Sequence, residues 1–201
     1  MQFIQHRVNT VGQLREVPHG YGVELDLRDR GPRLILQHDP FDDGEDFAPY
    51  LAEYRHGTMI LNVKSERIEG RVLEEVGRAG TVDDYFFLDC SFPMIRQLVG
   101  TGERRIAVRF SEFEPIEGPL SLAGQIDWVW VDCFTRLPLN DQSYARLSRW
   151  FKICMVSPEL QGHDPGRIRE FAEQLEPYTI DAVCTKRPDL WQRALEGGES
   201  A

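Results

Sequence analysis

Short apolar runs recur along the chain, each followed by a stretch of longer period. QFIQHR, YGVELDLR, MILNVK, DYFFLD, RIAVRF, IDWVWVDCF, FKICMVS and IDAVCTK read as eight strands. Between them VGQLREV, FAPYLAEYR, RIEGRVLEEVGRAG, PMIRQLVGTG, PLSLAGQ, DQSYARLSRWF and PGRIREFAEQLEPY read as helices, with DLWQRALE closing the series. In RIREFAEQLEPY the apolar residues fall three and four apart, the stripe of a helix laid against a sheet. Strict alternation of strand and helix predicts parallel strands joined by right-handed crossovers. Eight such units in series predict an α/β fold closed into a (β/α)8 TIM barrel rather than an open sheet. One unit departs from the rule: after YGVELDLR, the segment DRGPRLILQHD reads as a further strand following a Gly-Pro turn, a hairpin-like extension.

At 201 residues the chain is long enough for a single domain with a sizeable core. Such barrels usually take about 250 residues, so this one is minimal and its loops must be short. The expected organisation is one barrel over 1–196 with a frayed tail over 197–201, GGESA. A net charge of −10 disfavours binding to a nucleic-acid backbone, because that affinity comes from Lys and Arg displacing counterions. A few local cations could still hold a small phosphate ester. No apolar run is long enough to span a membrane, and MQFIQHRVNT lacks the apolar core of a signal peptide, so the expected location is the cytoplasm. Cys90, Cys133, Cys154 and Cys184 lie far apart in or beside apolar runs, without zinc-site spacing, and are expected as buried free thiols. No signal for an oligomeric state is apparent.

In a barrel of this kind the functional face lies at the carboxyl ends of the strands, and the polar residues there cluster early in the chain. The first strand ends in His6-Arg7, the second carries Glu24 and Asp26, its extension ends in His38-Asp39, and the third carries Asn62 and Lys64. Residues two apart on a strand share a face, so Glu24 joins Asp26, and Asn62 joins Lys64. Acidic residues inside a strand whose other positions are Val23, Leu25 and Leu27 require compensation, since an unpaired buried carboxylate is costly. A hard divalent cation is one solution. Ion pairing with Arg7, Arg28 or Lys64 is the other. Arg109, Asp132 and Lys186 stand near later strand ends and could line the mouth, while Trp128 and Trp130 share a face and could fill core. His19, His56 and His163 fall in loops or helix ends and receive no role.

These residues resemble the glycerophosphodiester phosphodiesterases and their barrel relatives, which include the phosphatidylinositol-specific phospholipases C. That family opens with His-Arg and then Asn-Thr, continues with Glu-x-Asp and a His-Asp pair, and has a third strand of the form Glu-Ile-Lys. Here the corresponding residues are His6-Arg7 with Asn9-Thr10, Glu24-Leu25-Asp26, His38-Asp39, and Asn62-Val63-Lys64. CSFPMIRQL looks like the Ser-Phe segment opening the family's fourth helix, and IDAVCTKRPDL like its last strand and closing Arg-Pro-Asp-Leu. The resemblance spans essentially the whole chain. It departs from the pattern in four places. Val8 stands where Gly is expected, the first loop is shortened, and the family's third metal carboxylate falls on Asn62. The usual capping insertion is also missing, because the segment PFDDGEDFAPYLAEYR between His38-Asp39 and the third strand is short and must supply a helix as well.

The resemblance implies a phosphoric diester hydrolase acting on a glycerophosphodiester or related small phosphodiester. It implies a divalent metal, Mg or Ca, on Glu24, Asp26 and Asn62, weakly bound because a neutral amide replaces a carboxylate. It further implies His6 and His38 as general base and general acid, with Arg7 and Lys64 on the phosphate. Two alternatives stand beside it: an altered, non-catalytic barrel that binds a phosphorylated metabolite, and a lyase-type relative that releases a cyclic phosphate.

Overall fold

In a computed structural model that describes residues 1–197, the chain forms two compact units, one of residues 6–106 and one of residues 1–5 with 107 onward. Of the tail expected over 197–201, residues 198–201 lie outside the described residues. The first strand, β1 (Gln2–Gln5), belongs to the second of these units, and His6 and Arg7 follow it directly in the chain.

The unit of residues 6–106 contains α1 (Val11–Glu16), β2 (Gly22–Arg30), β3 (Arg33–Leu36), β4 (Glu45–Asp46), α2 (Phe47–Glu53), β5 (Met59–Val63), α3 (Glu69–Ala79), β6 (Tyr85–Leu88) and α4 (Phe92–Gly100). β2, β5 and β6 pair in parallel, with Asp26 opposite Asn62 in the register. The strand pattern of β2 is unusual for a reason that matters below. Val23, Leu25 and Leu27 are fully buried, yet Glu24 and Asp26 are only 1% exposed, so both faces of the strand are covered. The alternation therefore separates an apolar packing face from a polar internal one.

The hairpin expected after β2 forms. β3 runs antiparallel to it from Leu27↔Leu36 to Arg30↔Arg33, and the turn uses Gly31 at φ 60°, a left-handed conformation that costs a side-chain-bearing residue about 1 kcal/mol or more. β4 escaped the sequence reading, because two acidic residues carry no strand signal. Its approach to β3 depends on Gly44, where a Cβ would lie 2.2 Å from the Leu36 carbonyl oxygen. In this unit two helix starts are capped by side chains: the Thr10 hydroxyl accepts from Gln13 N–H at 3.1 Å and Ser91 accepts from Met94 N–H.

The other unit adds β7 (Ala107–Phe110), α5 (Glu117–Leu120), β8 (Trp128–Val131), α6 (Asp141–Leu147), β9 (Lys152–Val156), a 3-10 turn at Pro158–Gln161, α7 (Arg167–Leu175), β10 (Ala182–Thr185) and α8 (Pro188–Glu196). Its strands are all parallel, in the order β1-β10-β9-β8-β7. Thus the parallel βα series expected from the sequence is present in each unit. PLSLAGQ is a correction: its helix is only four residues long, starts earlier at Glu117, and gives way to turns before Gly124. Trp128 and Trp130 are buried at 4% exposure each. All four cysteines are free; Cys133, Cys154 and Cys184 are buried and Cys90 is half-buried.

Candidate active site

The polar residues singled out in the first half of the chain all lie in the unit of residues 6–106. Its organising element is β2, whose period of two sets Glu24, Asp26 and Arg28 in a row on one face. Each member of the row makes its own set of contacts.

Glu24 accepts hydrogen bonds on both oxygens, from Arg7 N–H to Oε2 at 2.8 Å and from the Asn62 amide to Oε1 at 2.8 Å. His6 Nε2 stands 3.7 Å from Oε2. Arg7 itself occupies the left-handed region at φ 57°, which bends the chain just after this bond. That placement also explains Val8, where a Gly was expected: the tight bend sits one residue earlier, and Val8 is free to pack at 3% exposure. Burial above all, and then the neighbouring Asp26 charge, push the Glu24 carboxyl up to about 7, against the opposing hydrogen bonds from Asn62 and Arg7 and the charge of Lys64.

Asp26 is held by cations and by an amide. Arg7 Nε lies 3.7 Å from Oδ2 and Lys64 Nζ lies 3.7 Å from Oδ1. Asn9 closes a reciprocal pair, donating from Nδ2 to Asp26 Oδ2 at 2.8 Å while its Oδ1 accepts from Asp26 N–H at 2.8 Å. Asn9 therefore bonds the side chain and the main chain of the same aspartate. Lys64 is also 3.3 Å from Asp89, a residue at φ 62° just beyond β6. Of the three cations weighed for pairing with the carboxylates, Arg7 and Lys64 pair with Asp26, whereas Arg28 turns elsewhere and donates to the main-chain carbonyls of His38 and Lys64.

His38 follows the hairpin extension, with 36% of its side chain exposed, and its Nδ1 meets Asp39 Oδ1 at 2.9 Å. That hydrogen bond holds the Asp39 carboxyl below its ordinary range. Donation from Nδ1–H to a carboxylate leaves Nε2 as the nitrogen able to exchange a proton with a ligand.

Asn62 is 7% exposed, and its Oδ1 is buried without a hydrogen-bond partner while its amide nitrogen is engaged by Glu24. An orphaned buried oxygen is costly unless something binds it. Together with two carboxylates it forms an all-oxygen donor set suited to a hard cation. The set is weak in charge, and among the described residues no group of three or more His, Cys, Asp or Glu side chains is placed to hold a metal. Glu24, Asp26 and Asn62 are the residues whose oxygens could hold a divalent ion.

The sequence reading undervalued two residues. Asn9 was visible only as half of a dipeptide, and Arg28 only as one possible partner for a carboxylate. The signal for Arg28 was its parity with Glu24 and Asp26. In the other unit, Arg109 pairs with the buried Asp132, which also accepts from Gln161 at 2.7 Å, and Lys186 is exposed. His56 and His163 bond main-chain carbonyls of Val17 and Cys133.

No known family profile matches the chain, and no curated protein matches it. Solved structures do. One is a protein from Agrobacterium tumefaciens assigned as a glycerophosphoryl diester phosphodiesterase, with a TM-score of 0.73, 13% identity, and coverage of 100% of this chain and 99% of that one. Another is a glycerophosphoryl diester phosphodiesterase from Parabacteroides distasonis, with a TM-score of 0.69, 10% identity, and coverage of 98% and 86%. At such identities the likeness is one of fold. Among the described residues no helix is long and apolar enough to cross a membrane.

Proposed function

We propose that this chain is a phosphoric diester hydrolase acting on a glycerophosphodiester or a related small phosphodiester. The observation that carries the reading is the buried Glu24–Asp26 pair, with an imidazole against the first carboxylate and two cations against the second. A structural ion pair would not call for the imidazole or for the half-buried histidine beyond the hairpin. The fold shared with glycerophosphoryl diester phosphodiesterases points the same way. This reading includes the expectation that the eight βα units close as a (β/α)8 barrel.

In this reading His6, oriented by Glu24, removes the proton from the attacking water or hydroxyl. His38, with Nδ1 engaged by Asp39, delivers a proton from Nε2 to the departing alkoxide, so one imidazole gains the proton that the other gives up. Arg7 and Lys64 bind the non-bridging phosphoryl oxygens and hold the charge that builds on them. A Mg or Ca ion on Glu24, Asp26 and Asn62 would supply polarisation of the phosphoryl group and a lowered pKa for the nucleophile. The location that fits a small soluble diester is the cytoplasm.

The test is incubation with a panel of glycerophosphodiesters in Mg, Mn or Ca, with products identified by phosphorus NMR. A phosphomonoester and a free alcohol are expected. A cyclic phosphate as the final product would assign the lyase outcome instead. No turnover of any diester, together with saturable binding of a phosphorylated ligand, would overturn the enzyme reading in favour of a binding barrel.

A further inference from the structure

Carbonyl groups just past the end of a strand have lost their ladder partners and need another donor. His38 lies beyond β3 and Lys64 beyond β5, so each begins where its ladder stops. Arg28, half-buried on β2, serves both: Nε and Nη2 donate to the His38 carbonyl at 3.1 and 2.8 Å, and Nη1 donates to the Lys64 carbonyl at 2.9 Å. None of its hydrogen bonds goes to a carboxylate. A guanidinium can do this because its donors are fixed in a planar fork, whereas a lysine ammonium is a single point on a flexible stem.

The two carbonyls belong to the two residues that the proposed reaction needs at a fixed separation, the acid and a phosphate-binding cation. The main chain brings each near β2 independently, through Gln37 N–H to the Asp26 carbonyl at 2.9 Å and Lys64 N–H to the Leu27 carbonyl at 2.8 Å. Neither of those bonds ties one segment to the other. We propose that Arg28 is a positioning residue that locks His38 and Lys64 to one another, so that proton delivery and phosphate binding occur at one geometry. This rests on the reading of the site as a phosphodiesterase. Misplacement by about 1 Å at a reacting group can lower a rate by roughly a hundredfold.

The experiment compares wild type with Arg28→Ala and Arg28→Lys on two substrates, a glycerophosphodiester with a poor alkoxide leaving group and bis(p-nitrophenyl) phosphate, whose leaving group needs no acid. In Arg28→Ala the first should lose about a hundredfold in kcat/KM and the second a smaller, measurable part, because both use Lys64 on the phosphate and only the first also relies on a well-placed acid. Added guanidinium should restore part of the loss, and Arg28→Lys should not, since one ammonium cannot bridge the two carbonyls. In parallel, hydrogen exchange is followed in the whole protein over 37–42 and 64–67, where Arg28→Ala should raise rates about tenfold in both segments, and Arg7→Ala in neither. Equal losses on both substrates, full activity in Arg28→Lys, or unchanged exchange in either segment would overturn the clamp. Should wild type cleave neither substrate while exchange still rises in both segments of Arg28→Ala, the phosphodiesterase reading fails and the clamp stands as a structural one.

Discussion

Glu24 is buried beside Asp26 on one strand face, and its carboxyl is pushed up to about 7 from an ordinary 4.5. A carboxyl whose folded-state pKa lies above its unfolded value stabilises the fold while it is protonated, and that contribution is lost as pH rises through the folded pKa. The window therefore runs from about 4.5 to about 7. In chelator, wild type should lose up to a few kcal/mol relative to Glu24→Gln as pH rises across that window. Denaturant melts at several pH values measure this, and parallel stability curves for the two proteins would refute it. Asn62 provides a second residue-scale test. With a neutral amide there, the proposed metal site has two anionic ligands, so Asn62→Glu should tighten Mg or Ca by about tenfold or more in calorimetric titration without substrate. Binding no tighter than wild type would mean that Asn62 does not face the metal.

At the scale of elements, the first loop is short and leans on α2. The Tyr50 hydroxyl, on a fully buried ring, donates to the Val8 carbonyl at 2.9 Å, tying that helix to the bend that carries His6 and Arg7. Tyr50→Phe strands a buried carbonyl and should cost about 1–3 kcal/mol in urea unfolding, with the packing of the ring unchanged. A loss within error of zero would show that another donor replaces the hydroxyl. The same elements show what was legible in the sequence. Alternating runs revealed every βα unit, and Gly31-Pro32 revealed the hairpin, because period and turn chemistry are local properties. β4 was missed because a tertiary contact decides it, Gly44 against the Leu36 carbonyl, and α5 was read too long and too late because its end gives way to local turn hydrogen bonds from Leu122 to Ile126.

For the whole molecule, the side-chain rows on β2 and β5 were readable from parity alone, since a strand repeats every two residues. Which partner each row took was not. Parity put Arg28 beside Asp26, but the carbonyls it binds belong to segments ten and thirty-six residues away in sequence, and only the fold brings them together. The account places the chemistry on two histidines that differ in setting, His6 against a buried carboxylate and His38 on an exposed turn with Asp39. The most direct measurement is steady-state turnover of a glycerophosphodiester by wild type, His6→Ala and His38→Ala at equal folded concentration, established by circular dichroism and thermal melting. Wild type should hydrolyse the diester measurably, kcat should fall by at least about a hundredfold in each variant, and melting should stay close to wild type in both. Near-normal turnover in both variants with the fold intact would contradict it.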